Sequence, residues 1–385
     1  MDRRSFLRAG TAASTVGAGL LAGCSGLFSV QTGPPGRMPP LPENRPAAVY
    51  FPSHVEGMKM VGVSETAAGN GTNATNRSNG SRDSSGTATG YRCALSYSYP
   101  HRFWTVTGER TKKVSVEDDS LHLMVNVWDP ATGISPLDTN PTVSVSQDGE
   151  SVTTLSPWTM LSQNMGFHTG DNVSLPGAGD YTVRVNIPPT SAQRTGAFAN
   201  RFGGRQSFEF TLTFDPEKMS DIMFKRLGEK AGTRGAVKPM NMKKMPLTLA
   251  PKKEALPGRP LGTIRTGNAV FVVRALDEAS RFDTDGKKYL AVSARTPYNR
   301  YILPAMSLSA TVMRGDETVF DGPLQATIDP ELNYHYGVGV ESIQSDDEIE
   351  ITVDAPPQVA RHEGYETAFL DMPSRTLTVG GKSSG

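Results

Sequence analysis

Alternating apolar and polar residues run along the chain from residue 90 to residue 215 and predict a series of short β-strands. Successive side chains of a strand point to opposite faces, so each alternating segment offers one apolar face to a core. The clearest segments are LHLMVNVW (121–128), DYTVRVNI (180–187) and SFEFTLTF (207–214). Asp148-Gly149, between two further alternating segments, is typical of a hairpin turn. Such evenly spaced, one-sided strands are typical of an antiparallel β-sandwich.

The second half of the chain repeats the landmarks of the first in the same order. Turn, histidine and proline pair appear as Asp148-Gly149, His168 and Pro188-Pro189, and again as Gly315-Asp316, His335 and Pro356-Pro357. Their spacings agree within a residue, which indicates a duplication. The sequence therefore predicts an all-β fold of two tandem immunoglobulin-like β-sandwich domains, residues 46–215 and 261–380.

Residues 216–260 join these domains and predict a short helix followed by a linker rich in Pro, Met and Lys. Asp215-Pro216 is a helix-start signal and Gly228 ends the segment. Four apolar residues lie on one face of the predicted helix: Met219, Ile222, Met223 and Leu227. The linker methionines have two interpretations, either as soft ligands for copper(I) or as side chains that pack irregularly against a surface. They are Met240, Met242 and Met245.

Residues 1–24 have the composition of an export signal. Arg3 and Arg4 precede a short apolar stretch of small residues, which favours a signal over a permanent membrane-spanning helix. RRSFLR resembles a twin-arginine signal, and LAGC resembles a lipobox in which Cys24 carries lipid. Residues 25–45 predict an extended tether. If the signal is cleaved, lipid on Cys24 anchors the protein; if it is retained, its helix does. Both alternatives place the protein on the extracytoplasmic face of the cell membrane.

Residues 65–89 interrupt the first predicted domain with Gly, Asn, Ser and Thr. This composition cannot bury a core, so we expect the segment to be disordered. Four successive Asn-x-Ser/Thr acceptors lie within it: Asn70, Asn73, Asn76 and Asn79. On an exported chain these are candidate glycosylation sites, although a solvated loop insertion without glycans explains the segment equally well.

Composition and the lack of catalytic motifs exclude several classes of function. The 39 basic and 39 acidic residues cancel, so no overall field attracts nucleic acid. If Cys24 is lipidated, Cys93 has no partner for a disulfide. The sequence has no glycine-flanked nucleophile, phosphate-binding loop or HExxH motif, and we expect the protein not to be an enzyme.

Three segments of the first domain carry a resemblance to a known family. VYFPSHVEGMKM, LHLMVNVW and MLSQNMGFHTGDNVSLPGAGDYTVRVNIPP resemble the periplasmic high-affinity iron-transport proteins, which are immunoglobulin-like metal binders that serve iron permeases. The resemblance covers roughly residues 45–215, and its most specific part is MxxxxxGxHxGxNV. The second domain resembles the same fold more weakly, as an accessory domain of archaeal surface lipoproteins.

The resemblance implies a set of metal ligands. The family's early-strand histidine corresponds to His122, its motif histidine to His168, and its methionine to Met160 or Met165. Met124 stands where the family often has an assisting carboxylate. The implied site is therefore built from imidazole and thioether groups.

One ligand of the family set is missing from the first domain. The loop after Pro188-Pro189 has Arg194 and no histidine. The resemblance therefore predicts that the positively charged side chain of Arg194 lies near the place of the late ligand. His54, beside Glu56, and His101 are candidates to fill that place. Each is also explained as an ordinary surface or turn histidine.

The second domain holds another part of the ligand set. It keeps His335 and has His362 in the loop after Pro356-Pro357, but the strand position that matches His122, near Tyr289 to Ala291, has no histidine. We therefore expect the His-x-Gly turn to be structural in both copies, with metal retained only in the first. A composite site shared across the domain interface is the alternative.

Two hypotheses follow. In the first, a lipid-anchored protein captures iron(II) or copper and passes the ion to a membrane iron permease. The resemblance favours iron, whereas His combined with Met favours copper. In the second, the protein is a surface β-sandwich spacer or interaction module without bound metal. The sequence leaves the oligomeric state open, a homodimer included.

Overall fold

The computed structural model describes residues 30–31, 38–65 and 91–380, except for positions 243, 278 and 285. The strands are β1 Val30–Gln31, β2 His54–Glu56, β3 Lys59–Glu65, β4 Arg92–Ser98, β5 Phe103–Thr107, β6 Arg110–Val114, β7 Leu121–Trp128, β8 Thr142–Gln147, β9 Glu150–Leu155, β10 Trp158–Ser162, β11 Gly166–Val173, β12 Gly179–Ile187, β13 Gln193–Arg194, β14 Gln206–Phe214, β15 Phe224–Arg226, β16 Arg259–Thr266, β17 Ala269–Leu276, β18 Lys288–Arg295, β19 Ser307–Arg314, β20 Glu317–Asp329, β21 Asn333–Val340, β22 Glu348–Ala355, β23 Ala360–Arg361 and β24 Arg375–Thr378. The 3-10 helices are η1 Gly196–Phe198, η2 Pro216–Asp221, η3 Gly228–Lys230, η4 Lys253–Ala255 and η5 Ser280–Phe282. The all-β prediction is confirmed.

Several predicted features lie outside the described residues. They are the export signal with Cys24, most of the tether, and the candidate glycosylation sites Asn70, Asn73, Asn76 and Asn79. Within the described residues, no helix is long and apolar enough to span a membrane.

Two sheets face each other in the first half, which here means residues 46–215. One has the strand order β3-β4-β7-β11-β10-β23-β5-β6, and the other has the order β14-β12-β8-β9. The inward faces that alternation predicted do meet in one core; among them are Leu121, Leu123, Val125, Val127, Tyr181, Val183, Phe208 and Phe210. The predicted hairpin is also confirmed, because Gln147 pairs with Glu150 across a turn whose two residues have positive φ.

The outer face of the eight-stranded sheet is covered as well. On β7, the side chains of His122, Met124 and Trp128 are all buried. Met242 and Met245 of the linker pack there, in a cluster around Trp128. This contact fits the packing interpretation of the linker methionines. It forms a second hydrophobic cluster, on the face of the sheet that points away from the main core.

The second half, residues 261–380, repeats the pairing order of the first. Its sheet runs β16-β17-β18-β21-β20-β19-β22-β24, so the succession β17-β18-β21-β20 corresponds to β4-β7-β11-β10. The long β20 pairs with β19 at one end and with β21 at the other. In the first half two separate strands, β9 and β10, make the corresponding pairs.

The two halves exchange short strands. β23 of the second half lies between β10 and β5 of the first, with Ala360 beside Met160. In return, β13 of the first half pairs with β20 of the second, with Gln193 beside Thr327. Each exchanged strand follows a Pro-Pro pair. The halves are therefore interlocked through their sheets, which two domains on a linker would not be.

The helix expected before Gly228 is not formed. Residues Pro216–Asp221 make a 3-10 helix, which Asp215 caps by accepting a hydrogen bond from the N–H of Glu217. The chain then becomes extended in β15, where Phe224 pairs with Glu56 of β2. Pairing with β2 buries Phe224 completely, whereas a short exposed helix would gain little tertiary packing.

Candidate metal centre

Four imidazole rings converge on the outer face of the eight-stranded sheet: those of His101, His122, His168 and His362. The ring centroid of His101 lies 4.1 Å from the ring centroid of His122 and 4.5 Å from that of His362. His168 lies 5.1 Å from His362 and 6.0 Å from His122. One ring nitrogen from each of His101, His122 and His362 lies within 4.8 Å of the others. These separations would allow one ion to contact several rings.

The His-x-Gly pattern has a steric cause. His122 on β7 and His168 on β11 belong to neighbouring antiparallel strands, and Asn172 pairs with His122. A Cβ atom on Gly170 would lie 2.6 Å from Nε2 of His122 and 3.2 Å from Cδ2 of His168. Glycine is required here because the two rings occupy the space above its backbone.

The other two histidines come from connecting segments of different halves. His101 lies in the turn between β4 and β5, and its backbone is tied to Asn172, whose Nδ2 donates to the carbonyl oxygen of His101 at 2.9 Å. His362 directly follows β23, and its N–H donates to the carbonyl oxygen of Leu161 at 3.1 Å. The strand exchange therefore carries His362 into the first half.

Each of the four rings has a buried Nε2 atom without a hydrogen-bond partner. In three rings, Nδ1 lies against an acceptor oxygen. Nδ1 of His122 donates to Oδ1 of Asn172 at 2.8 Å, and Nδ1 of His168 donates to the carbonyl oxygen of Gly166 at 3.2 Å. Nδ1 of His101 lies 2.6 Å from Oε1 of Glu56.

These hydrogen bonds fix the tautomers. A neutral imidazole whose Nδ1 carries the proton presents a lone pair at Nε2. A buried polar atom without a partner costs free energy, and unpaired ones in native structures require an explanation. Metal-bound histidines typically donate their second N–H to a carboxylate, carbonyl or water. The centre has this arrangement.

The rings are held uncharged. Burial lowers the pKa of His168 to about 3. Burial, and next the charge of the neighbouring rings, also hold the pKa of His122 and of His362 well below the ordinary value. Lone pairs are therefore available for a cation at neutral pH, with no protons to displace from these three rings.

The second half has the same geometry with different side chains. Tyr289 takes the place of His122, because Tyr289 pairs with Gly339 as His122 pairs with Asn172. A Cβ on Gly337 would meet the hydroxyl oxygen of Tyr289 at 2.2 Å, as a Cβ on Gly170 would meet His122. Phe282 stacks on Tyr289 at 3.8 Å, as His101 lies on His122.

His335 lies where His168 lies in the first half, but its lone pair is used. Its Nε2 is 3.1 Å from the hydroxyl of Tyr289, and its Nδ1 donates to the carbonyl oxygen of Asn333 at 2.9 Å. The expectation that this turn is structural in the second half therefore fits the geometry. The unpaired Nε2 atoms distinguish the four-histidine centre from this place in the second half.

The position of the late ligand corrects the expectation for Arg194. The N–H of Thr195 donates to the carbonyl oxygen of Ile328, as that of His362 donates to Leu161. Thr195 is thus the equivalent of His362. The guanidinium of Arg194 is directed elsewhere and donates to the carbonyl oxygen of Arg201 at 2.9 Å. The ligand set inferred from the sequence for the first half left out His362, which entered only through the alternative of a composite site, although its place after a Pro-Pro pair was the available signal.

The remaining candidate ligands occupy different places. Met160 pairs with His168 across β10 and β11 and is buried against Phe103 and Ala360. Met124 of β7 pairs with Gly170 of β11, and its side chain is buried. His54 does not join the four rings; it stacks on Phe224 at 4.7 Å, and its Nδ1 is 2.9 Å from Oγ of Ser53.

A cavity beside the centre opens towards solvent. Its lining includes His54, Glu56, His101, Met165, His362 and Glu363. Oε2 of Glu56 is buried there without a hydrogen-bond partner. The centre therefore lies at the end of a recess that carries two carboxylate groups.

Comparisons with known proteins give partial matches. Residues 254–378 match a domain family of unknown function. The crystal structure of FetP from uropathogenic E. coli strain F11 is similar over 32% of this chain and 87% of that chain, with 16% identity and a TM-score of 0.27. The search of curated proteins found no match. Residues 134–217, which include His168, match the family described as Fe2+ transport protein.

Proposed function

We propose that the protein binds a transition-metal cation, ferrous iron or copper, as cargo at the four-histidine centre and supports its uptake by a membrane permease. The observation that carries this proposal is the convergence of four buried rings, each of which has an Nε2 atom without a hydrogen-bond partner. The match of residues 134–217 to a Fe2+ transport family supports iron as the cargo.

The donor set restricts the class of cation. Imidazole nitrogen suits iron, copper, nickel and zinc, whereas magnesium and calcium take oxygen ligands. Met160 is the cross-strand neighbour of His168, and a thioether sulfur at this place would favour copper(I). The family match favours iron, whereas the His and Met side chains favour copper. A binding experiment in which the two metals compete for the protein distinguishes them.

Reversible binding fits the geometry better than permanent storage. The recess beside the rings gives an ion a path to solvent, and Glu56 in its lining has a carboxylate oxygen, Oε2, without a hydrogen-bond partner, which favours the entry of a cation. The predicted export signal and Cys24 lipidation would hold the protein at the outer face of the membrane, where a permease takes up its ion. The permease and the lipid anchor are parts of the proposal.

Metal titration of the purified metal-free protein tests the proposal. We expect one equivalent of Fe(II), added anaerobically, or of Co(II) as a spectroscopic probe, to bind the wild-type chain. His122→Gln, His168→Gln and His362→Gln should each weaken binding about 10- to 100-fold or more. His335→Gln is the matched control, because His335 occupies the place of His168 in the second half.

Absence of binding by Fe(II), copper, Zn(II) and Co(II) to the folded wild-type protein would overturn the proposal. The spacer hypothesis would then remain. Equal loss of binding in His335→Gln would contradict the assignment of the ion to the four-histidine centre.

A further inference from the structure

The two ligand segments from different halves are joined by an ion pair next to the rings. His101 is followed by Arg102, and His362 is followed by Glu363. Nη2 of Arg102 donates to Oε2 of Glu363 at 2.5 Å, while the rings of the two histidines lie 4.5 Å apart. Each half therefore contributes one ring and one charged side chain to the same contact.

The strand register aligns the charged pair. Trp104 of β5 is paired with Arg361 of β23 in the antiparallel sense. Continuing that register by two residues sets Arg102 opposite Glu363. The exchanged strand thus brings the ring and the carboxylate of the second half into place together.

The pair is mostly buried and has further partners. The Arg102 side chain is 14% exposed and that of Glu363 is 5% exposed. The carboxylate of Glu363 also accepts hydrogen bonds from N and Oγ of Ser53, at 2.7 and 3.0 Å. Nη1 of Arg102 donates to the carbonyl oxygen of Pro39 at 2.7 Å. Charge-assisted hydrogen bonds of this kind are short, strong and geometrically specific.

The second half pairs different charged residues at the corresponding place, Arg281 with Asp329, and Asp329 accepts a hydrogen bond from Oγ1 of Thr195. Thr195 is the equivalent of His362, so the next residue, Gly196, stands where Glu363 stands. The ligand and the adjacent carboxylate are thus both present in the first centre and both replaced in the second.

We propose that the Arg102–Glu363 ion pair is a clasp that positions His362 against His101 and limits the rate at which a bound ion leaves. Both residues line the recess that leads from the centre to solvent. Opening the contact would separate the two ring-bearing segments and widen that recess. Arg102 and Glu363 are positioning residues, and this proposal rests on the proposed function of the centre.

The test compares ion release from the full-length chain. Co(II)-loaded wild type, Arg102→Gln, Glu363→Gln and Arg102→Lys are mixed with excess chelator, and the loss of the Co(II) absorption band is followed. We expect release from Arg102→Gln and Glu363→Gln to be about 10- to 100-fold faster, with a changed Co(II) spectrum. Arg102→Lys keeps the charge but loses the two-pronged donor geometry, so partial rescue is expected.

Arg184→Gln is the matched control variant. Arg184 and Glu209 form an ion pair of 2.7 Å between β12 and β14 with both side chains exposed. Its removal should change neither release nor spectrum. Circular dichroism of each metal-free variant shows that the fold is retained; if Arg102→Gln does not fold, Arg102→Lys and Glu363→Gln carry the test.

Wild-type release rates and spectra in folded variants of Arg102 and Glu363 would overturn the clasp and leave metal binding intact. Failure of the wild type to bind any ion would instead overturn the proposed function. A changed release rate with an unchanged Co(II) spectrum would contradict the positioning of His362.

Discussion

The imidazole rings of His168 and His362 lie 5.1 Å apart, although the two residues belong to different halves of the chain. Two backbone contacts hold this arrangement: Ala360 pairs with Met160, and the N–H of His362 donates to the carbonyl oxygen of Leu161. A cation bound between the rings would therefore connect the halves directly. The alternative of a composite site across the interface fits this geometry better than a site made by the first half alone.

Metal binding should stabilise both halves together. An ion at about 100 times its dissociation constant should stabilise the folded chain by roughly 2.7 kcal/mol. Differential scanning calorimetry of the full chain checks this, with and without Zn(II) or Co(II). His362→Gln should lose most of the shift, whereas His335→Gln should retain it; a full shift in His362→Gln would argue against a ligand from the second half.

Gly170→Ala should impair the centre more than the fold. The added methyl group would lie 2.6 Å from Nε2 of His122, so the ring must move from its position. Crowding of this kind costs about 1–3 kcal/mol. Isothermal titration with Co(II) should show weaker binding. Gly177→Ala is the control, since its Cβ would meet nothing within 4 Å, and equal binding by both variants would refute the steric argument.

The chain should bind one ion, because the second centre has lost its donors. In the second half, the place of His101 is taken by Phe282, that of His122 by Tyr289 and that of His362 by Thr195. The triple variant Phe282→His, Tyr289→His, Thr195→His should bind a second equivalent beside His335. Metal analysis by mass spectrometry under native conditions counts the ions. A folded triple variant that still binds one ion would show that these replacements do not account for the loss.

The stability of the metal-free protein should depend on His335 at acidic pH. Burial lowers the pKa of His335 to about 4, against roughly 6.5 in an unfolded chain. Between these values the unfolded state binds more protons, so the free energy of unfolding falls as pH drops from 6.5 towards 4. The contribution of one such group is roughly 1 kcal/mol per pH unit.

Urea unfolding from pH 4 to pH 7.5 measures this dependence. His335→Gln should show a shallower decrease than the wild type over that window and the same slope above pH 7. Identical slopes in both proteins throughout the window would contradict a buried neutral imidazole at this position.

Local pattern was sufficient to predict the long alternating strands. The period of two in β7, β12 and β14 is a property of consecutive residues, and burial on one face follows from it directly. Asp148-Gly149 likewise specified its hairpin because few residues tolerate positive φ. By contrast, the helix expected from Pro216 towards Gly228 is only a 3-10 helix that ends at Asp221, since pairing of Phe224 with Glu56 outweighed a weak local preference.

The sequence by itself determined the all-β class and the repeated order of landmarks in the two halves. Through the family resemblance it also singled out His122 and His168, whose ring centroids lie 6.0 Å apart. Only the tertiary structure decided that the ring of His362 lies beside those of His101 and His168, that Thr195 rather than Arg194 is its counterpart, and that the ring of His54 stacks on Phe224. The reason is that an exchanged strand of two residues, Ala360 and Arg361, has no local signature. Its partner is selected by long-range pairing and burial, which the alternation of neighbouring residues does not encode.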